Sequence, residues 1–147
     1  MHWADFAAQT LSHRGNKHII ASGITPSGEF HIGHLREILT GDMVTRACKN
    51  AGLDAEFVFI VDSADPLRKV YPFLSDDYEK YIGCALATIP APDENGKPGT
   101  DGRSYSEHFL EPFLAALEQI DVRPRIIDNY TSYANGEFAE KSRIACE

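Results

Sequence analysis

In the stretch "PSGEFHIGH" (26–34), two histidines flank Ile-Gly, and these are the side chains best placed to do chemistry in this chain. Imidazole rings donate hydrogen bonds to phosphate oxygens and offset charge that builds during group transfer. The string follows an apolar run, "KHIIASGI" (17–24), and leads into a helical pattern that begins at His34. His31 just before that helix and His34 at its start both reach the tip, where free N–H groups and the positive end of the helix dipole favour an anion. Gly28 and Gly33 let a nucleotide come close to the backbone, because no Cβ stands in the way. The chain has neither the Gly-Lys-Ser/Thr phosphate loop nor the Gly-x-Gly-x-x-Gly dinucleotide loop. Phosphates would therefore be held by histidines and helix dipole, without a loop lysine.

The elements that must position these residues follow from hydrophobic periodicity. Residues 2–14 read as a short helix with Trp3, Phe6, Ala7 and Leu11 near one face, and 17–24 as a buried β-branched strand ending at a glycine loop. Residues 34–52 read as a helix with Leu35, Ile38, Leu39, Met43 and Ala47 on one side and Gly52 as its stop. "AEFVFIVDS" (55–63) is almost continuously apolar, as a strand of a parallel sheet covered on both faces would be. Strand, helix and strand in this order form a right-handed βαβ unit, and ligands bind such sheets at the carboxyl ends of their strands. Downstream, the pattern predicts a helix over 75–86 and a helix over 104–120, with Phe109, Phe113, Leu114 and Leu117 inward and Pro112 as a kink or new turn. A strand over 123–130 and a last helix over 135–147 complete the list. "PAPDENGKPGTDG", within 90–103, reads as an exposed, mobile loop. The fold class expected is α/β: a Rossmann-like parallel sheet with flanking helices, unfinished on its C-terminal side, where an exposed edge would seek a partner.

Composition bounds the class of protein. The 147 residues, 43% hydrophobic and 24% charged, suit one ordinary soluble domain. No apolar run approaches the roughly 20 residues of a membrane helix, and the N-terminus lacks the basic and apolar segments of a signal peptide. Cys48, Cys84 and Cys146 have no paired spacing for zinc or redox chemistry, which fits reduced thiols in the cytoplasm and no resident metal. The net charge of −8 argues against a broad nucleic-acid face on this segment.

His-Ile-Gly-His at this place resembles the signature of the class I aminoacyl-tRNA synthetases. Within that group the chain is similar to the archaeal-type class I lysyl-tRNA synthetases through "HWAD" (2–5), "ASGITPSG" (21–28), "HIGHLRE" (31–37), "DPLRKV" (65–70), "YIG" (81–83), "IPAP" (89–92) and "SYSEHF" (104–109). Glutamyl and glutaminyl enzymes share the Pro-x-x-Gly-x-x-His-Ile-Gly-His string but lack the His-Trp-Ala-Asp start and the Ile-Thr-Pro-Ser-Gly spelling. The chain departs from the lysyl pattern at Ser63, where an acidic or amide residue often stands, at His34, where Asn is frequent, and in a longer loop at 93–103.

The resemblance implies activation of lysine with ATP, accompanied by Mg²⁺, to lysyl-adenylate, and transfer to tRNA(Lys). It implies that His31, Gly33 and His34 bind ATP, with His31 and His34 stabilising the adenylation transition state, and that Gly23 and Thr25 line the lysine pocket. Asp62, at the end of the second strand, either faces the substrate's ammonium or caps a turn. Arg68 and Lys69 either steady phosphate or the tRNA end, or form surface ion pairs. The family's Lys-Met-Ser-Lys-Ser signature does not occur, so 1–147 is expected to be the N-terminal part of the catalytic domain, with half a site and a C-terminal half as partner. Two other readings stay open: a stand-alone nucleotidyltransferase using His-x-Gly-His chemistry, and a non-catalytic ATP-binding module derived from a synthetase.

Overall fold

The computed structural model describes residues 2–147 and arranges them as two compact units. The first comprises the chain up to Ile24, Phe30–Ile60 and Ala116–Ile127; the second comprises Thr25–Glu29, Val61–Ala115 and Asp128–Glu147.

The first unit is built on helix α1 (Trp3–Ser12), strand β1 (Lys17–Ile24), helix α2 (Ile32–Asn50), strand β2 (Asp54–Val61) and strand β3 (Arg125–Asp128). The strands form one parallel sheet in the order β1-β2-β3, the α/β Rossmann-like arrangement expected; Val61 and Asp128, the last residues of β2 and β3, belong to the second unit. His2 caps α1: its ring accepts the Ala4 N–H at 3.3 Å, while its own N–H donates to Asp5 at 2.9 Å. The buried stripe of α1 is Ala4 and Ala8, packed with Ala47, Cys48 and Ala55. The bulky side chains Trp3 and Phe6 point to solvent, because small residues let α1 lie close against α2. Helix α2 starts two residues before the sequence pattern suggested and ends ahead of Gly52, whose φ of +82° is the left-handed turn that favours glycine. Phe57, Val58 and Phe59 are buried in succession, so the middle of β2 is covered on both faces. Strand β1 departs from the expectation of a buried strand. Its alternate residues from Lys17 are exposed, Ile19 at 62%, because successive side chains point to opposite faces and one face of β1 is left uncovered.

The second unit is mostly loop around helix α3, which runs Tyr105–Gln119 with Pro112 inside it and passes into the first unit at Ala116. The predicted helix over 75–86 shrinks to a 3-10 turn, Asp76–Tyr81. Gly83, at φ +89°, ends it, and residues 83–86 pair instead with 65–67: Leu67 N–H donates to Cys84 O at 2.9 Å, Gly83 N–H to Leu67 O at 2.9 Å, and Leu86 N–H to Asp65 O at 3.0 Å. Tyr78, Tyr105, Leu67, Leu86 and Ile89 are fully buried and form the core here. The proline- and glycine-rich loop is internally bonded. Asp93 accepts the N–H groups of Asn95 and Lys97, each at 2.8 Å, and Ala91 within the loop is buried. Helix α4 (Asn129–Ala134), which the sequence pattern did not indicate, is capped by Asp128 accepting the Thr131 N–H at 2.8 Å, and α5 (Ala139–Cys146) is the shortened last helix. No described helix is long and apolar enough to cross a membrane.

Candidate functional site

His31 is the N-cap of α2, with extended backbone, and His34 occupies the third helical position. The Nδ1 of His31 accepts the Gly33 N–H at 3.1 Å, and the Nδ1 of His34 accepts the His31 N–H at 3.0 Å. This is a capping box in which imidazoles replace the usual hydroxyl and carboxylate. It also fixes the chemistry of both rings. An Nδ1 that accepts a hydrogen bond carries no proton, so each neutral ring is the Nε2–H tautomer. Both Nε2–H donors lack a partner among the described residues and remain available to an anion at the helix start. The two rings stack with centroids 3.8 Å apart, and Phe30 meets His34 edge-on at 5.2 Å. Burial, and then the neighbouring His31, hold the His34 pKa below its ordinary value, while Glu37 acts weakly the other way. His34 therefore stays neutral and keeps Nδ1 free to cap.

Gly33 makes this geometry possible. A Cβ at position 33 would lie 2.8 Å from the Cε1 of His31, inside the space its ring occupies. Gly23, near the end of β1, lies tightly against β2: a Cβ there would meet the carbonyl oxygen of Ile60 at 3.2 Å, and β2 would have to give by a few tenths of an ångström.

In the second unit, Thr25 and Asp62 sit in separate bonding groups. The Thr25 hydroxyl donates to the Oδ2 of Asp65 at 2.8 Å, and the Arg68 guanidinium donates to the same oxygen at 3.1 Å. The turn after Thr25 is pinned from below, where Ser27 N–H donates to Thr25 O at 2.8 Å and the buried Tyr105 hydroxyl donates to Ser27 O at 2.8 Å. Asp62 instead accepts a hydrogen bond from the side-chain amide of Asn129, whose oxygen accepts the Ala64 N–H at 3.1 Å. Beside it the wholly buried Ser63 hydroxyl donates to Asp128. The long-range bonds of Asp65, Asp128 and Asn129 leave no mark in the local sequence. Their partners are 40 to 67 positions away in the chain, and no local pattern records such pairs. Arg68 forms the surface ion pair that was one of its two expected roles, with Asp65.

The family model described as tRNA synthetases class I (K) matches residues 1–147, and the chain belongs to this family. It is 46% identical to a lysine–tRNA ligase of Archaeoglobus fulgidus over 99% of this chain and 28% of that protein. It is 43% identical to a lysine–tRNA ligase of Methanocaldococcus jannaschii over 100% of this chain and 27% of that one, and 42% identical to one of Methanosarcina barkeri over 99% and 26%. The matched region is the N-terminal part of those ligases, and the chain spans about a quarter of their length.

Proposed function

We propose that the chain serves as the nucleotide-binding, N-terminal part of a lysine–tRNA ligase, activating lysine with ATP, as its magnesium complex, to lysyl-adenylate for transfer to tRNA(Lys) in the cytoplasm. In the first step the lysine carboxylate attacks the α-phosphorus and pyrophosphate leaves with its electron pair. His31 and His34 donate from Nε2 to phosphate oxygens, where charge grows in the transition state, and Gly33 leaves room for both the His31 ring and the nucleotide. Gly23 and Thr25 receive lysine through open backbone and a hydroxyl, and Asp62 supplies negative charge toward an ammonium. A C-terminal part of the ligase, absent from these 147 residues, supplies the mobile lysine signature of the class and the anticodon-binding region.

The observation that carries this reading is the paired Nδ1 capping of His31 and His34, which presents two Nε2–H donors at the start of a 19-residue helix. Its test is ATP–pyrophosphate exchange with each of the twenty amino acids. The chain is assayed alone and mixed with the C-terminal part of the Archaeoglobus relative. Exchange confined to lysine, and to the mixture, supports the reading. Exchange with another amino acid overturns the assignment of lysine. Silence in both preparations, with ATP still bound, favours an ATP-binding module.

A further inference from the structure

We propose that Asp65 is a positioning residue that turns Thr25 and Arg68 into a receptor for the paired ammonium and carboxylate of an α-amino acid. The proposal deepens the ligase reading and rests on it only for the identity of the amino acid.

Asp65 Oδ2 takes the hydroxyl proton of Thr25 at 2.8 Å and a guanidinium proton of Arg68 at 3.1 Å. A hydroxyl has one proton and two lone pairs. Once its proton is committed to Asp65, Thr25 can only accept from a ligand, and an ammonium is the donor it suits. Arg68 has five N–H groups and commits one. Its remaining donors suit a carboxylate, which a guanidinium can hold through two parallel bonds. An acceptor and a cationic donor held side by side are complementary to a zwitterionic head group, whose ammonium and carboxylate they take together.

The second observation is a cavity of about 100 Å³ lined by Thr25, Ser27, Arg68, Tyr71, Pro66 and Leu86, with Asp65 outside its wall. It is partly open to solvent and large enough to admit a head group. Asp65 thus acts from behind Thr25 and Arg68. The third observation is that Asp65 is itself fixed. Its carbonyl accepts the Leu86 N–H at 3.0 Å, and the adjoining Pro66 and Leu67 pair with 83–85. As a stability element the exposed Arg68–Asp65 pair contributes little, and its geometry is the relevant effect.

The test is a ¹⁵N NMR titration of the full chain, following the amides of Thr25 and Arg68, with glycine, L-lysine, 6-aminohexanoate and cadaverine up to tens of millimolar. Glycine carries only the head group, 6-aminohexanoate lacks the α-ammonium, and cadaverine lacks the carboxylate. Glycine and L-lysine are expected to shift both amides, while the other two leave them unmoved. Asp65→Asn weakens both active ligands at least fivefold, Thr25→Val does likewise, and Thr25→Ser restores binding. The double variant Thr25→Val, Asp65→Asn loses less than the sum of the two single losses, since Asp65 acts in part through Thr25 and in part through Arg68; a purely structural role gives additive losses instead. Cadaverine binding as well as lysine, additive losses in the double variant, or no response to any amino acid overturns the proposal. Glycine binding with no lysine-dependent exchange leaves the head-group receptor standing and overturns the ligase reading. Exchange that is indifferent to Asp65→Asn does the reverse.

Discussion

His31 and His34 hold each other's backbone turn. The ring of His34 accepts the N–H of His31 at 3.0 Å, the ring of His31 accepts the N–H of Gly33 at 3.1 Å, and the two rings lie stacked at 3.8 Å. The same two nitrogens that start the helix therefore leave the Nε2 edge of each ring without a partner among the described residues. Capping uses the Nδ1 edge of each ring and the proposed phosphate contact uses the opposite Nε2 edge, so a single substitution is expected to disturb both.

Replacing either histidine by alanine removes a cap worth about 1 kcal/mol and a transition-state donor worth on the order of 10²–10³ in rate. The expected outcome is a protein that still folds, with a slightly lower melting temperature, and lysine-dependent exchange reduced by at least a hundredfold in the completed enzyme. Circular dichroism melts and exchange rates on the same preparations check both halves. Unchanged exchange contradicts the roles assigned to the rings.

Gly33→Ala reaches the same result from the other side. The new methyl falls 2.8 Å from His31 Cε1, so the ring must swing away and release the Gly33 N–H. ATP affinity is expected to drop roughly tenfold, about 1.4 kcal/mol, with both histidines still present. Calorimetric titration with ATP reads this directly, and an unchanged affinity shows that the ring position does not matter.

Stability should rise with pH across the histidine range. The pKa of His34 is lowered by burial and then by His31, and that of His108 by burial and then by Arg103. The unfolded chain therefore binds more protons than the folded one below the ordinary histidine value of about 6.5. The stabilisation is fully present above that value and is lost as pH falls through the lowered folded pKa values. Urea midpoints at about pH 5 and about pH 7.5 should differ in this sense, and the difference should shrink in the His34→Asn, His108→Asn protein. A higher midpoint in acid reverses the sign and contradicts the account.

Gly96→Ala should destabilise the second unit. Gly96 has φ +72°, and a Cβ there would lie 2.3 Å from the carbonyl oxygen of Phe73, which is backbone and cannot rotate away. The left-handed conformation alone costs roughly 1–2 kcal/mol, and relieving the clash adds to it. Denaturant unfolding is expected to show a loss of about 2 kcal/mol or more. A neutral result indicates that the loop takes another path.

Much of the fold was legible because its signals are local. The bounds of β1 emerge to the residue from a β-branched run closed by a glycine loop, and α2 from its periodicity and Gly52. The helix expected over 75–86 failed because the backbone of Asp65–Leu67, far earlier in the chain, claims the N–H and C=O groups of residues 83–86. The exposure of Trp3 and Phe6 reversed a helix face, since periodicity places residues on a stripe but does not say which stripe meets the neighbouring helix. In the site, the histidines and Gly33 were legible from their spacing, and the tautomer was not. Asp65 was invisible as a partner of Thr25 because 40 residues separate them.

The most direct test of the central claim is ¹⁵N NMR of the imidazole rings of His31 and His34, before and after ATP is added. Two rings protonated at Nε2 and bare at Nδ1, whose Nε2 resonances move with ATP while Nδ1 stays in place, are the predicted result. Proton-bearing Nδ1 atoms, or Nε2 resonances that ignore saturating ATP, would contradict the view that this pair faces the phosphates.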